Sequence, residues 1–122
     1  MARTKTIGDK GEAIAISILR KKNHKILHQN WRNQYLEVDI ISQIDGILVF
    51  TEVKTRSNLE FGEPHHFVTR KKQKNLFKAA NKYCFEKDYY GEIRFDIISI
   101  YNSKENKPIN AIHLEDAFYQ YG

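Results

Sequence analysis

Two short charged runs, Glu37-Val38-Asp39 and Glu52-Val53-Lys54, stand symmetrically about an Asp45-Gly46 dipeptide. Asp-Gly between alternating apolar runs signals a two-residue hairpin, because a type I′ turn needs positive φ at both central residues. With Asp45 and Gly46 as the loop, Ile44 pairs with Ile47, Ile41 with Phe50, Asp39 with Glu52 and Glu37 with Lys54. Alternation along a strand then places these side chains on one face of the sheet. Facing carboxylates sit roughly 4.5–5.5 Å apart at Cβ and repel each other. A hard divalent cation, Mg²⁺ or Mn²⁺, offsets that repulsion, since such ions are held by one or two carboxylates with water and phosphate. Asp39 and Glu52 are therefore candidate metal ligands, and the carbonyl of Val53 is a further candidate oxygen. Lys54 can position or deprotonate a water, or neutralise charge developing on a phosphate. The plain alternative is an exposed sheet face on which Glu37 and Lys54 form an ordinary ion pair. The apolar run Ile47-Leu48-Val49-Phe50 argues against a fully solvated strand.

Other candidates lie on two expected helices. Glu12 stands among Gly8, Gly11 and Ala15, small residues that let a helix approach another backbone or a ligand. It reads either as an acid set where the helix approaches a ligand or as a first-turn carboxylate favoured by the helix dipole. Arg70, Lys71, Lys72 and Lys74 crowd the start of the second helix, where that dipole disfavours cations, and Lys78 and Lys82 continue the run. A solvated lysine face is one explanation. Phosphate binding is the other, because free amides and positive charge both suit an anion, and Arg56 can join that patch.

The elements that must position these residues follow from periodicity. Asp9 to Lys22 reads as a helix with Asp9 as N-cap, an apolar stripe of Ile14, Ala15, Ile18 and Leu19, and Asn23 as its end. Lys25–Trp31, Leu36–Ile44 and Ile47–Thr55 read as strands. Arg56–Phe67 reads as a loop long enough to be functional. Thr69 caps a second helix running to about Lys87, with Leu76, Ala80, Tyr83 and Cys84 inward. Glu92–Tyr101 is a strand, Ser103–Pro108 a polar turn and Ile109–Leu114 a last strand before a short Glu115–Tyr119 element. The fold class is α/β, a mixed central sheet flanked by helices in the order α-β-β-β-α-β-β, as one domain over residues 1–122.

Composition narrows the function classes. At 122 residues and 41% hydrophobic, the chain can build one core. Its single cysteine, Cys84, excludes an internal disulfide framework and reads as a core thiol. The apolar stretch Ala13–Leu19 is far shorter than a membrane span, so a cytoplasmic protein with no membrane partner is expected. A net charge of +5 favours a polyanionic partner. Trp31, Phe61, Phe67, Tyr89 and Tyr90 read as core or rim packing more readily than as base-stacking platforms. His24 with His28, and His65 with His66, lack the partners of a zinc site.

Several motifs in order carry a resemblance: Gly11-Glu12 with Ala15, Glu37-Val38-Asp39-Ile40-Ile41, Val49-Phe50-Thr51-Glu52-Val53-Lys54-Thr55-Arg56, Thr69-Arg70-Lys71 with Gln73, Arg94-Phe95-Asp96, and Ala117-Phe118. Together they resemble the YraN-like family of small bacterial proteins, within the Holliday-junction-resolvase branch of the restriction-endonuclease-like nucleases. The resemblance implies divalent-metal chemistry on DNA or RNA. It makes Asp39 and Glu52 the metal ligands, Lys54 the catalytic lysine and Glu12 an additional acid. It places Gln73 in the same cleft and makes a homodimer an expectation. Leu36 departs from the glycine usual before the Glu37-x-Asp39 motif. The function expected is a metal-dependent endonuclease for structured or branched nucleic acid. The rival expectation is a non-catalytic nucleic-acid-binding or adaptor module that retains the nuclease fold.

Overall fold

Asp45 and Gly46 turn the chain with φ of 51° and 77°, the doubly positive pair that a type I′ hairpin requires. In the computed structural model, which describes residues 7–56, 68–101 and 110–119, that turn joins β2 (Leu36–Ile44) to β3 (Ile47–Arg56). The register runs Ile44↔Ile47, Ile41↔Phe50 and Ile40↔Thr51, as the turn dictates. Before it come α1 (Ile7–Lys21) and β1 (Lys25–Asn33); after it come α2 (Arg70–Glu86), β4 (Ile93–Tyr101) and β5 (Asn110–Phe118). Among the described residues the sheet is ordered β1-β2-β3-β4-β5. Only β3 and β4 are parallel, joined by the crossover that contains α2. The other neighbours are antiparallel. The fold is thus α/β with a mixed sheet, in the expected order.

The helices cover opposite faces. Ala15, Ile16 and Leu19 of α1 pack on Ile40, Ile98 and Ile100. Leu76, Phe77, Ala80 and Tyr83 of α2 pack on Val38, Ile41, Leu48, Phe50 and Phe95. Helix α1 ends where Asn23 adopts φ 74°, with Asn23 N–H donating to the Arg20 carbonyl and His24 N–H to that of Leu19, both at 3.0 Å. That is a Schellman end with asparagine in the left-handed position. Thr69 caps α2 by accepting from the Lys72 amide at 3.1 Å.

Three boundaries differ from expectation. Helix α1 begins at Ile7, so Asp9 is its third residue rather than its N-cap. Strand β1 continues through Arg32 and Asn33, which pair with Glu37 and Leu36. Residues 115–118 are not a separate element but the end of β5: the register moves from Ile97↔Leu114 to Phe95↔Phe118 across a bulge where Asp116 has φ 54°. The buried side chain of Asp96 accepts the freed Asp116 amide at 3.0 Å, which lets pairing resume beyond the bulge. Residues 57–67 of the expected long loop, and the Ser103–Pro108 turn, lie outside the described residues.

Candidate active site

The β2–β3 ladder ends at Ile40↔Thr51, one step short of Asp39 and Glu52. Val38 and Ile41 both pack on the α2 side while Ile40 packs on the α1 side. Two residues therefore separate the same-face positions of β2 where strict alternation allows one. In β1, Trp31 pairs with Val38 and Gln29 with Ile40, and the intervening Asn30 has φ 51°, so both strands are irregular at this level. Asp39 Oδ2 instead accepts the Val53 amide at 2.8 Å, a side chain standing in for a ladder bond. The Glu37–Lys54 ion pair of the plain alternative is not formed. Glu37 pairs with Arg32 on its other side at 3.2 Å, because β2 has left the regular register that would have set Lys54 opposite it.

The two acids nevertheless meet. Glu52 is 3% exposed, and the Asp39 charge acts directly on its carboxyl. Two lysines answer them: Lys72 Nζ lies 3.3 Å and Lys54 Nζ 3.7 Å from Glu52 Oε2. Burial and then the Asp39 charge push the Glu52 carboxyl up to about 7, and the two ammonium groups only partly oppose this. Burial likewise raises Asp39 against the pull of the Val53 amide and Lys72. Burial works against the Lys72 ammonium, but the Glu52 carboxylate outweighs it and holds Lys72 above its ordinary range. The site is thus a buried acid pair reluctant to carry two negative charges, with two half-buried cations at its rim.

The remaining candidates divide. Glu12 is half-buried on α1, beside Gly11, whose position leaves no room for a side chain: a Cβ there would lie 2.5 Å from Thr55 Oγ1. Helix α1 thereby lies against the end of β3 from the face opposite α2. Among the described residues no three His, Cys, Asp or Glu side chains gather into a metal-holding group, so Glu12 does not complete a trio with Asp39 and Glu52. Val53 donates its amide to Asp39, as above. Gln73 is half-buried and its Nε2 donates to the Val68 carbonyl at 3.1 Å, tying down the chain as it enters α2. Arg70, Lys71 and Lys74 are exposed. Arg56 closes β3 by pairing with Tyr101, and its side chain lies outside the described residues.

His24 bonds Ser42 at 2.9 Å while the His28 ring meets Tyr83 edge-on at 5.3 Å, so the two rings serve different neighbours. His65 and His66 fall outside the described residues, as do Phe61 and Phe67. Trp31 packs edge-on to Tyr83 at 5.7 Å, and Cys84 is half-buried against the same core, where burial raises its thiol.

Sequence reasoning missed two things. It gave Lys72 to the phosphate patch, whereas its ammonium sits on Glu52. The signal was available: Lys72 stands four residues before the inward Leu76, on the same side of α2. It also left Asp96 as a motif residue. Asp96 is fully buried, bound by Arg94 Nε and Nη2 at 2.9 Å each, by His113 Nε2 at 2.8 Å and by the Asp116 amide. Although burial raises the Asp96 carboxyl, the bonds from His113, Arg94 and Asp116 outweigh it and leave it below its usual range.

Comparison with known proteins is consistent across the whole chain. Residues 11–100 match the model of an uncharacterised protein family, UPF0102. A UPF0102 protein of Flavobacterium psychrophilum is 46% identical over 121 residues, spanning 99% of this chain and 100% of its own. Another from Dictyoglomus thermophilum is 44% identical over 115 residues, spanning 93% of this chain and 98% of its own. A third, from Clostridium botulinum, is 42% identical over 115 residues, with 93% and 94% covered. The motifs around Glu12, Asp39, Glu52 and Asp96 all fall inside the matched span, and the chain belongs to the UPF0102, or YraN, family.

Proposed function

We propose that the chain is a divalent-metal-dependent endonuclease acting on structured or branched nucleic acid. The supporting observation is the buried Asp39–Glu52 pair with Lys72 and Lys54 at 3.3 and 3.7 Å from Glu52. A carboxyl held near 7 by burial and a neighbouring acid is poised to exchange a proton for a cation. That donor set, two hard oxygens in a partly dry site, fits Mg²⁺ or Mn²⁺. Asp39, Glu52 and the Val53 carbonyl would hold the ion, which when bound supplies Lewis acidity for the scissile phosphate and a more acidic water. Lys54, on the strand two residues beyond Glu52, orients the attacking water and takes up its charge. Lys72 exchanges its contact with Glu52 for the non-bridging oxygens of the phosphate. Arg70, Lys71 and Lys74 hold the flanking backbone, and Glu12 approaches from the α1 side.

The second reading, a nucleic-acid-binding module without turnover, draws on one observation. Lys72 already compensates Glu52, and no third acid joins the pair among the described residues. A panel of branched, single-stranded and duplex DNA and RNA with Mg²⁺ or Mn²⁺ separates the two. The endonuclease reading expects cleavage of at least one branched substrate, abolished in Asp39→Ala and Glu52→Ala with the circular-dichroism spectrum unchanged. Binding without product in any metal selects the module instead.

A further inference from the structure

Helix α2 carries six of the chain's 20 cationic residues and one of its 15 acidic ones, Glu86. The rest of the chain holds 14 of each, so the whole net charge of +5 resides on this one helix. The distribution along it is regular. Arg70, Lys74, Lys78 and Lys82 recur every four residues, all are exposed, and none is in an ion pair among the described residues. Like charges at this spacing repel and weaken a helix. An exposed face under no other demand would carry glutamates at alternate steps to turn that repulsion into attraction. Here the repulsion is retained over three successive turns.

The stripe leads away from the acid pair. It starts beside Lys72, which touches Glu52, and extends about 18 Å along α2. At its middle, Lys78 Nζ is held 6.0 Å above the ring of Tyr35 and 3.5 Å from its hydroxyl, so the tip of the β1–β2 hairpin fixes that cation in place. Among the described residues the ring on the stripe, Tyr35, meets a single lysine, and no row of rings runs along the track. Single-strand binding draws on base stacking along the track, whereas a duplex offers a straight, stiff line of phosphates at about 3.4 Å per nucleotide on each strand.

We infer that the Arg70–Lys74–Lys78–Lys82 stripe is a docking track for one strand of a nucleic-acid duplex arm, about five nucleotides long, leading away from the Asp39–Glu52 site. This rests on the nucleic-acid reading above but not on the chemistry of the acid pair. It sets a polarity: the arm lies along α2 on one side of the point of reaction, and shortening that arm below the length of the stripe weakens binding.

The test is fluorescence anisotropy of the full chain with a DNA duplex of about 20 base pairs, in EDTA, between about 50 and 300 mM KCl. Lys78→Gln/Lys82→Gln removes two contacts remote from the acid pair, so the slope of log affinity against log salt should become shallower by about 1.8. Arg20→Gln/Lys25→Gln, removing two exposed cations from α1 and β1, should leave it unchanged. An unaltered slope in the α2 variant, an equal loss in the α1/β1 variant, or an equally steep slope for single-stranded DNA of the same length overturns the track while leaving the nuclease reading standing. Absence of salt-dependent binding by the parent chain overturns both. A slope made shallower in the α2 variant, with no cleavage by the parent chain in Mg²⁺ or Mn²⁺, separates them in the other direction: the track stands and the nuclease reading falls.

Discussion

Replacing Glu52 with glutamine should make the protein more stable, and increasingly so as pH rises. Glu52 is 3% exposed, and its carboxyl sits at about 7 against an ordinary 4.5. Between those values the folded chain holds a proton that the unfolded chain has released, so stability falls as pH climbs through this window. The penalty is absent below about pH 4 and complete above about pH 8. That displacement corresponds to about 3 kcal/mol. Glutamine keeps the volume and can still accept from Lys72, whose side chain is one-third exposed. At pH 8.5 without metal, Glu52→Gln should therefore melt roughly 10 °C above the parent, and the two should converge toward pH 4. His24, lowered by burial, acts in the opposite direction as pH rises, and the low Asp96 carboxyl acts at the acid end. Both are common to the two proteins, so the difference between their melting curves isolates the acid pair, which titrates as a unit with Asp39. Mg²⁺ should then raise the parent's midpoint at pH 8.5 and leave that of Glu52→Gln unmoved. Parallel stability–pH profiles for the two proteins would falsify the claim that Glu52 is held protonated by its surroundings.

Two further substitutions test the frame around the site. Asp96→Asn strips the charge from a buried carboxylate that accepts four hydrogen bonds and leaves Arg94 only its 3.9 Å contact with Glu115, so urea denaturation should show a loss of about 3–5 kcal/mol; a loss below 1 kcal/mol would mean that the network is dispensable. Gly11→Ala should destabilise by about 1–3 kcal/mol because its Cβ meets Thr55 Oγ1 at 2.5 Å, and Thr55→Ala in the same chain should recover most of that; an additive double variant would show that α1 does not rest on β3 there.

The elements were legible in the sequence because each carries a local signal. Asp45-Gly46 dictates the turn, and the register follows arithmetically as far as Ile40↔Thr51. Thr69 and Asn23 mark helix ends by chemistry that does not depend on the rest of the fold. What failed was extrapolation of period two past an irregularity. The slip between Val38 and Ile41 accompanies a left-handed Asn30 one strand away and the bulge between Ile26 and His28. No alternation within β2 announces an event seated in β1. The same holds at β5, where the bulge at Asp116 is secured by Asp96 from the neighbouring strand. Side chains that substitute for ladder bonds, Asp39 on Val53 and Asp96 on Asp116, become visible only when the strands are laid side by side.

Those two aspartates also separate structure from candidate function. Each buries a carboxyl beside a strand irregularity, and each bonds a backbone amide left without a ladder partner. Asp96 gathers further donors until its charge is more than satisfied, and its carboxyl falls below the usual range. Such a group is spent on holding β4 to β5. Asp39 has one amide and an acidic neighbour, and both carboxyls of the pair stand above their ordinary values despite two lysines near Glu52. A buried charge left short of compensation lowers stability, and the fold could relieve it with one more donor, as it does at Asp96. Keeping the deficit beside a helix that holds the chain's entire excess of positive charge makes sense if a cation and a phosphate complete the site together.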